Sequence, residues 1–402
     1  MTPSWTSASV AECLAPVSVA GKTKIQTRDY KASGRFPIID QGQELIAGWT
    51  DEESAVIDSP LPLVVFGDHT RVFKFIDKPF ARGADGTQLL MPKPNIDPLF
   101  FFYACRAIDL PARGYNRHFT VLKEKELSYP VRKDEQTSIA RVLHKTELTL
   151  TKQEDLQRTL QELKQATMRE LFTCGLGGEA QKETEIGLVP ESWDINFLGS
   201  HHNVVSGGTP ARNNPSYWIG GTIPWVKTTE VNYCTIIKTE EHITPQGLKN
   251  SAAKMLPVGT LMMAMYGQGV TRGKVAILDI DAACNQACAA IIPKDDAILP
   301  RYLYYFLSWR YEAIRSLAHG GQQQNLNLEI VRDLLISFPK TKEEQQEIIA
   351  ILDAIDRKIS LQKQKRIVLE ELFKTLLHKL MTGAIRASEL NLAALSTNEA
   401  TV

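Results

Sequence analysis

The chain has 402 residues, 43% apolar and 23% charged, which is the mix of a globular protein with room for two or three domains. It contains no run of about 20 apolar residues for a membrane span, its first residues (MTPSWTSASVAECLAPVSVAG) lack the basic start and apolar run of a secretory signal, and its six scattered cysteines suit a reducing cytoplasm better than a disulfide framework. Formal net charge is zero, so composition argues mildly against a nucleic-acid binder, and any such surface must come from how charges are segregated in space.

Residues 1–132 read as a mixed α/β globular region. Short β-rich runs stand at Phe36-Pro37-Ile38-Ile39 and Leu63-Val64-Val65-Phe66, and Leu99 to Tyr103 is an aromatic helix candidate whose plain role is core packing. Residues 133–173 predict one long helix. It opens on the polar turn Lys133-Asp134-Glu135 and closes at Thr173-Cys174-Gly175. Its seam is Ile139, Leu143, Thr146, Leu150, Gln153, Gln157, Leu160, Lys164, Thr167 and Leu171, in alternating steps of four and three. Half of these positions are polar, so this helix depends on a partner. Residues 174–190 (CGLGGEAQKETEIGLVP) are Gly-rich, then charged, and read as a linker. A second mixed α/β region spans 191–341, with strands predicted around Gly259 to Met265 and Lys274 to Leu278 and an aromatic helix at Tyr302 to Phe306. Residues 342–383 predict a second long helix with the seam Ile348, Leu352, Ile355, Ile359, Gln362, Arg366, Leu369, Phe373, Leu376 and Leu380, mostly apolar. Residues 384–402 read as a loose tail.

The two halves repeat. Shifted by 209 residues without a gap, LSYPVRKDEQTSIARVL from Leu127 matches ISFPKTKEEQQEIIAIL from Ile336. Identities include Ser128/Ser337, Pro130/Pro339, Glu135/Glu344, Gln136/Gln345, Ile139/Ile348, Leu143/Leu352, Gln153/Gln362, Leu160/Leu369 and Leu171/Leu380. Shared periodicity alone does not produce ungapped identities over more than forty positions, so the chain is a duplication of one unit, a globular region followed by a helix. Each helix of roughly 40 residues makes a rod of about 60 Å.

Catalytic signatures fail on inspection. In Gly267 to Val275 (GQGVTRGKV), Gln268 stands where a phosphate loop needs Gly and Val275 where it needs Ser or Thr. Gly175-Leu176-Gly177-Gly178 follows a helix, whereas a dinucleotide-binding turn follows a strand. Cys284 and Cys288 lack a second ligand pair for zinc, and His201-His202 are adjacent, a poor arrangement for one metal. No nucleophile elbow and no Asn-Pro-Pro-aromatic motif occurs. The expectation is a chain with no catalytic residues and no metal site.

Several runs resemble the specificity subunit of type I restriction-modification enzymes over nearly the whole chain. They are GLVPESW (Gly187 to Trp193), SGGTP (Ser206 to Pro210), GTIPWVKTTEV (Gly221 to Val231), EHIT (Glu241 to Thr244), LPVGTLMMAMYGQGVTRGKVAIL (Leu256 to Leu278), NQA (Asn285 to Ala287) and FPKTKEEQQEI (Phe338 to Ile348). The first copy is more divergent: FPIIDQG (Phe36 to Gly42), FGDHT (Phe66 to Thr70) and PFARG (Pro79 to Gly83) look like the same elements, with GDHT standing where YGQG stands in the second. The resemblance implies an α/β fold of two similar mixed α/β target recognition domains, separated by a long two-helix antiparallel coiled coil with pseudo-twofold internal duplication. It implies a non-catalytic, cytoplasmic prokaryotic subunit that reads a bipartite site on double-stranded DNA. Its implied partners are two modification subunits, which methylate adenine, and motor-nuclease restriction subunits. S-adenosylmethionine, ATP and Mg then belong to the partners and not to this chain. Two reading heads one turn of B-DNA apart need a spacer of about 34 Å, which such a rod supplies.

Polar and basic loop residues are the candidates for base and phosphate contacts. In the first domain they are Asp68, His69, Thr70, Arg71, Lys74 and Arg82. In the second they are Lys227, Thr228, Tyr266, Gln268, Thr271, Arg272, Lys274, Asn285 and Gln286. The helix-pairing set is Ile139, Leu143, Leu150, Gln153, Leu160, Ile348, Leu352, Ile355, Ile359, Gln362 and Leu369, with Gln153 and Gln362 expected to face each other at the helix midpoints. The competing reading is a non-catalytic protein scaffold with a coiled coil and two peptide-binding domains, which the neutral charge favours.

Overall fold

The computed structural model describes residues 5–19, 21–83, 86–111, 117–267, 270–317 and 325–390. The chain divides into two compact units, one of Met1–Asp155 with Lys363–Val402, the other of Leu156–Gln362. Both cuts fall inside the long helices, Lys133–Cys174 and Lys342–Met381.

The first unit opens with β1 (Trp5–Ser9) and β2 (Leu14–Ala15), followed by β3 (Phe36–Ile39), β4 (Gly48–Thr50), β5 (Val56–Ile57), β6 (Leu63–Gly67), β7 (Phe73–Ile76), β8 (Phe80–Arg82), β9 (Thr87–Pro92) and β10 (Glu126–Pro130). One sheet has the order β2-β9-β6-β7, a second the order β4-β3-β8-β5, and β1 pairs with β10. The strand FPII alternates between two cores. Ile39 faces Leu63, Val65, Ile76 and Phe80 between the sheets, whereas Ile38 joins Ile25, Ala55 and Ala81 on the outer face. The other side of the first sheet, Val64, Phe66 and Leu90, packs against the aromatic helix Pro98–Ala107. Asp97 caps that helix, accepting from the Leu99 and Phe100 N–H groups. Ile139 and Leu143 of the first long helix and Phe373, Leu376 and Leu380 of the second lie in the same core.

The second unit repeats this plan. Its strands are β11 (Gln181–Thr184), β12 (Gly187–Pro190), β13 (Asp194–Phe197), β14 (His202–Ser206), β15 (Ile223–Val226), β16 (Thr235–Ile236), β17 (Glu241–Ile243), β18 (Leu261–Ala264), β19 (Val275–Leu278), β20 (Ala283–Cys284), β21 (Cys288–Pro293) and β22 (Leu335–Phe338). The larger sheet, β14-β21-β18-β19-β16, reproduces the first unit's order and adds one strand. The smaller sheet, β17-β15-β20, keeps a parallel pair: β15 with β20 here, β3 with β8 there. The aromatic helix Pro300–Trp309 buries Tyr302, Tyr305 and Phe306 against Met168 and Phe172 of the first long helix and Ile348 and Leu352 of the second. Residues 174–190, expected as a linker, hold the hairpin of β11 and β12. In the segment after residue 383, Ala387 is buried and Ile385 and Leu390 pack on the first unit's core.

The long helices run antiparallel. In the first unit the start of one packs with the end of the other, and in the second the end of the first packs with the start of the second. The ion pair Lys164–Asp356, at 2.6 Å, has the same sense. None of the twenty predicted seam positions is exposed, and Leu150, Leu160, Ile355, Ile359 and Leu369 are all at least partly buried. Gln153 and Gln362 are both buried. Two polar seam positions of the first helix are satisfied, one within the helix and one by charge, whereas Gln153 Oε1 is buried without a hydrogen-bond partner. The Thr146 hydroxyl donates to the Val142 carbonyl, and Lys164 finds Asp356.

Candidate nucleic-acid interface

Two parallel strands end side by side in each unit, so the segments that follow them share one end of the sheet. The turn joining two strands of the larger sheet lies at that same end. In the first unit these segments are residues 40–42, 83 and 86, and the β6–β7 turn. The Asp68 N–H donates to the Gly86 carbonyl, the His69 N–H to Gln41 Oε1, and the Thr70 hydroxyl to the Gln41 carbonyl. In the second unit they are residues 227–230, 285–287, and the turn after β18. The Asn285 N–H donates to the Val226 carbonyl and the Met265 N–H to the Ala287 carbonyl. Asn285 Nδ2 donates to Thr228 Oγ1 at 3.0 Å, and the Thr209 hydroxyl donates to Gln286 Oε1.

The structure brings most of the sequence-selected residues to this end, but several are occupied. Asp68 is 2% exposed, and its carboxylate accepts the Phe119 N–H at 2.7 Å, so it anchors the helix Phe119–Glu124 and presents nothing at the surface. Lys74 is 4% exposed, with its ammonium donating to the Asp40 carbonyl at 2.9 Å and lying 3.7 Å from the Asp40 carboxylate. Burial pulls its pKa below the ordinary lysine value while Asp40 opposes that shift. Lys227 is bound to Glu240 at 2.6 Å and to Glu241 at 3.4 Å, and the bond to Glu240 raises its pKa. These internal pairings account for basic-looking loops in a chain of zero net charge. Arg71 is exposed and donates to the Leu110 carbonyl, Arg82 is half-buried, and Arg272 is buried. Tyr266 is exposed, Thr271 half-buried, and Lys274 donates to Asn232 Oδ1 at 2.7 Å beside the Tyr233 ring. Gln268 lies outside the described residues. Lys74 and Lys274 stand at equivalent places, each paired across to the middle strand of the sheet, at Val65 and Ala264.

The family model for the type I restriction modification DNA specificity domain matches residues 190–371. The MjaIX specificity subunit of Methanocaldococcus jannaschii is 31% identical over 202 residues, 48% of this chain and 45% of that protein. The type I restriction enzyme EcoR124I/EcoR124II specificity subunit of Escherichia coli is 22% identical over 350 residues, 83% of each. The chain is therefore similar to type I specificity subunits, with the family domain matched over residues 190–371. The crystal structure of a type I specificity subunit from M. genitalium has the same fold, with a TM-score of 0.65 at 18% identity, covering 94% of this chain and 99% of that one. The MjaIX match spans less than half of that protein's length, whereas the fold match is nearly complete.

Within this specificity-subunit fold, several positions that sequence reasoning did not single out organise the site. Gly207 of the SGGTP run presses against the end of β20 so closely that a Cβ there would collide with the Cys284 and Asn285 carbonyl oxygens, and Gly208 is as tightly placed against Ala252 and Ala253. Arg212 lies over the Trp218 ring, 3.8 Å from its centroid, with its guanidinium also bound to Glu241. Most tellingly, the Gln of each DEQ/EEQ run is fully buried. Gln136 Oε1 accepts the Asp97 N–H at 2.7 Å, and its Nε2 donates to the Asn95 and Pro130 carbonyls. Gln345 does the same with the Leu299 N–H and the Ala297 and Pro339 carbonyls. In both units one amide therefore ties the start of a long helix to the cap of the aromatic helix and to the preceding strand. The ungapped repeat marked both glutamines, and the signal for their role was an uncharged polar residue at the first buried turn.

Proposed function

We propose that this chain reads a split site on double-stranded DNA, one half with each globular unit, and that its helices dock two modification subunits and, for restriction, motor-nuclease subunits. The observation that carries this reading is the paired architecture: one topology twice, with the same three-segment end, built from different side chains. His69, Thr70 and Arg71 stand in one unit where Tyr266 and Thr271 stand in the other. Arg71 and Arg82 in the first unit, and Tyr266, Asn285, Gln286 and Lys274 in the second, supply the donors and acceptors for base edges and phosphates. Lys227 contributes only if DNA phosphate displaces Glu240. Exposed apolar side chains away from the helix seam support docking of other subunits: Leu148, Ile367 and Val368 in the first unit, Leu156, Leu163 and Leu361 in the second. The chain itself is proposed to be non-catalytic and cytoplasmic, with S-adenosylmethionine, ATP and Mg held by its partners.

The test is a domain exchange. Replacing residues 191–330 with the corresponding region of another specificity subunit, and mapping methylated adenines in the assembled enzyme, is expected to change one half of the site only. A change in both halves overturns the reading. Purified chain alone, incubated with labelled S-adenosylmethionine and duplex DNA, is expected to transfer no methyl group above a no-protein control.

A further inference from the structure

The two larger sheets differ at one edge. In the second unit the outer side of β19 is covered by the chain's own segment 233–236. The Tyr233 N–H donates to the Val275 carbonyl at 2.8 Å, the Ile277 N–H to the Cys234 carbonyl at 3.1 Å, and the Asp279 N–H to the Ile236 carbonyl at 3.0 Å. β16 runs parallel to β19 here, with Ile236 buried. In the first unit the equivalent strand β7 is the last of its sheet, and among the described residues no strand pairs with its outer side. The Gly67 N–H donates to the Val72 carbonyl, which fixes the alternation: Val72, Lys74 and Ile76 bond towards β6, and Phe73 and Phe75 turn their backbone groups outward.

Beside that open edge lies a hollow of about 860 Å³, entirely within the first unit. Phe73, Phe75, Leu99, Phe102, Ile108 and Leu110 form its apolar lining. Phe75 faces Phe102 at 5.9 Å, and Leu45 stands at the mouth, 55% exposed. β7 is only four residues long, and an open strand edge is otherwise blunted by charge, proline or a covering segment. The outward-facing positions here are two phenylalanines. The second unit shows what this place in the fold accepts.

We propose that the outer edge of β7, with the hollow beside it, is a docking site for an extended segment of a partner polypeptide. That segment lies parallel to β7, as β16 lies on β19, and is at least four residues long. Its backbone bonds to Phe73 and Phe75, and apolar side chains on one of its faces enter the hollow over Leu99 and Phe102. Arg71, proposed above as a DNA contact, also lines the hollow, so the peptide assay is run without DNA and its outcome stands apart from that of the domain exchange.

The test uses the full chain and, as probe, a fluorescein-labelled peptide with the sequence of residues 231–239, serine replacing its cysteine. In the free chain the Phe73 and Phe75 amides are expected to exchange hydrogen rapidly, while those of Lys74 and Ile76 exchange slowly. Saturating peptide is expected to slow exchange at Phe73 and Phe75 more than tenfold. The same peptide N-methylated on alternate residues is expected to bind at least tenfold more weakly, and because that control alters only the peptide it is immune to misfolding of a protein variant. Phe75→Pro, which removes an outward donor, is expected to abolish binding of the unmethylated peptide. Slow exchange at Phe73 and Phe75 in the free chain means that the edge is already covered and overturns the proposal. It is equally overturned by absence of binding up to millimolar peptide, or by equal affinity for the methylated probe.

Discussion

Replacing Gln345 with leucine probes the joint between helix and domain directly. The change keeps most of the side-chain volume but removes one acceptor and two donors from a site with no solvent access. The Leu299 N–H, which donates to Gln345 Oε1 at 2.8 Å, loses its partner, and the Ala297 and Pro339 carbonyls lose donors at 2.8 and 3.2 Å. A buried polar group left unsatisfied costs about 1–3 kcal/mol, and carbonyls with a second lone pair suffer less than an orphaned N–H. The sum is about 3 kcal/mol. For a unit of this size each kcal/mol lowers the melting temperature by about 2–4 °C, so a fall of roughly 6–12 °C is expected. Calorimetry of the full chain measures it, and hydrogen exchange resolved by peptide assigns it, with faster exchange in 191–341 and little change in 14–130. Gln136→Leu should produce the mirror result in the first unit. A loss under about 1 kcal/mol for Gln345→Leu would show that the joint is held by apolar packing alone, and the argument from its hydrogen bonds would be wrong.

Three further outcomes follow from the geometry. His202 is buried without a hydrogen bond of normal geometry to either ring nitrogen, and burial holds its pKa down to about 4 although the nearby Leu198 carbonyl favours the proton. Between pH 6.5 and 4 the unfolded chain binds a proton there that the folded chain refuses, so stability is intact above pH 6.5 and falls by about 3 kcal/mol as the pH drops to 4. Denaturant titrations should show that His202→Phe flattens this slope, and an unchanged slope refutes the assignment. Gly207→Ala forces the SGGTP segment off the end of β20 and should cost about 1–3 kcal/mol, with weakened DNA binding by the assembled enzyme in mobility shift. Wild-type stability would show that the close approach is dispensable. Lys164→Glu should destabilise the second unit and Asp356→Lys should restore part of the loss in the double variant, with a coupling of about 0.5–1.5 kcal/mol, since the pair lies at 2.6 Å and is largely shielded. Additive losses would argue against antiparallel pairing in this register.

What was legible in the sequence divides along physical lines. The seam from Ile139 to Leu171 and from Ile348 to Leu380 was readable because helical burial repeats at a fixed step, and every position on it is shielded in the structure. Strands such as Phe36–Ile39 and Leu63–Gly67 were readable from β-branched and aromatic runs between turn residues. The open edge of β7 was not, because strand order depends on long-range pairing that no local pattern reports. Nor could residue type alone separate a presented cation from a neutralised one. Lys74 and Lys227 looked like phosphate ligands, but Asp40 and Glu240 lie 34 and 13 residues away in sequence and come close only on folding. Asp68 was selected for its place in a polar loop, and what it does there is hold the start of the next helix.

The first unit is closed by the last turns of the second long helix, and this has a consequence during synthesis. Ile139 and Leu143 share a core with Phe373, Leu376 and Leu380, and the stretches that build that unit are interrupted between Asp155 and Lys363. At about 5–20 residues per second, the roughly 208 residues from 155 to 363 take on the order of 10–40 s to emerge from the ribosome. For that time the nascent first unit carries a bare apolar stripe with its eventual cover not yet made. The second unit, continuous from Leu156 to Gln362, waits for nothing beyond its own last residue and can reach its folded state first, reversing the order in which the two were translated. A stop or frameshift just after Gln362 leaves the second unit's residues complete and removes Phe373, Leu376 and Leu380 from the first, so the lesion damages the unit whose translation began earlier.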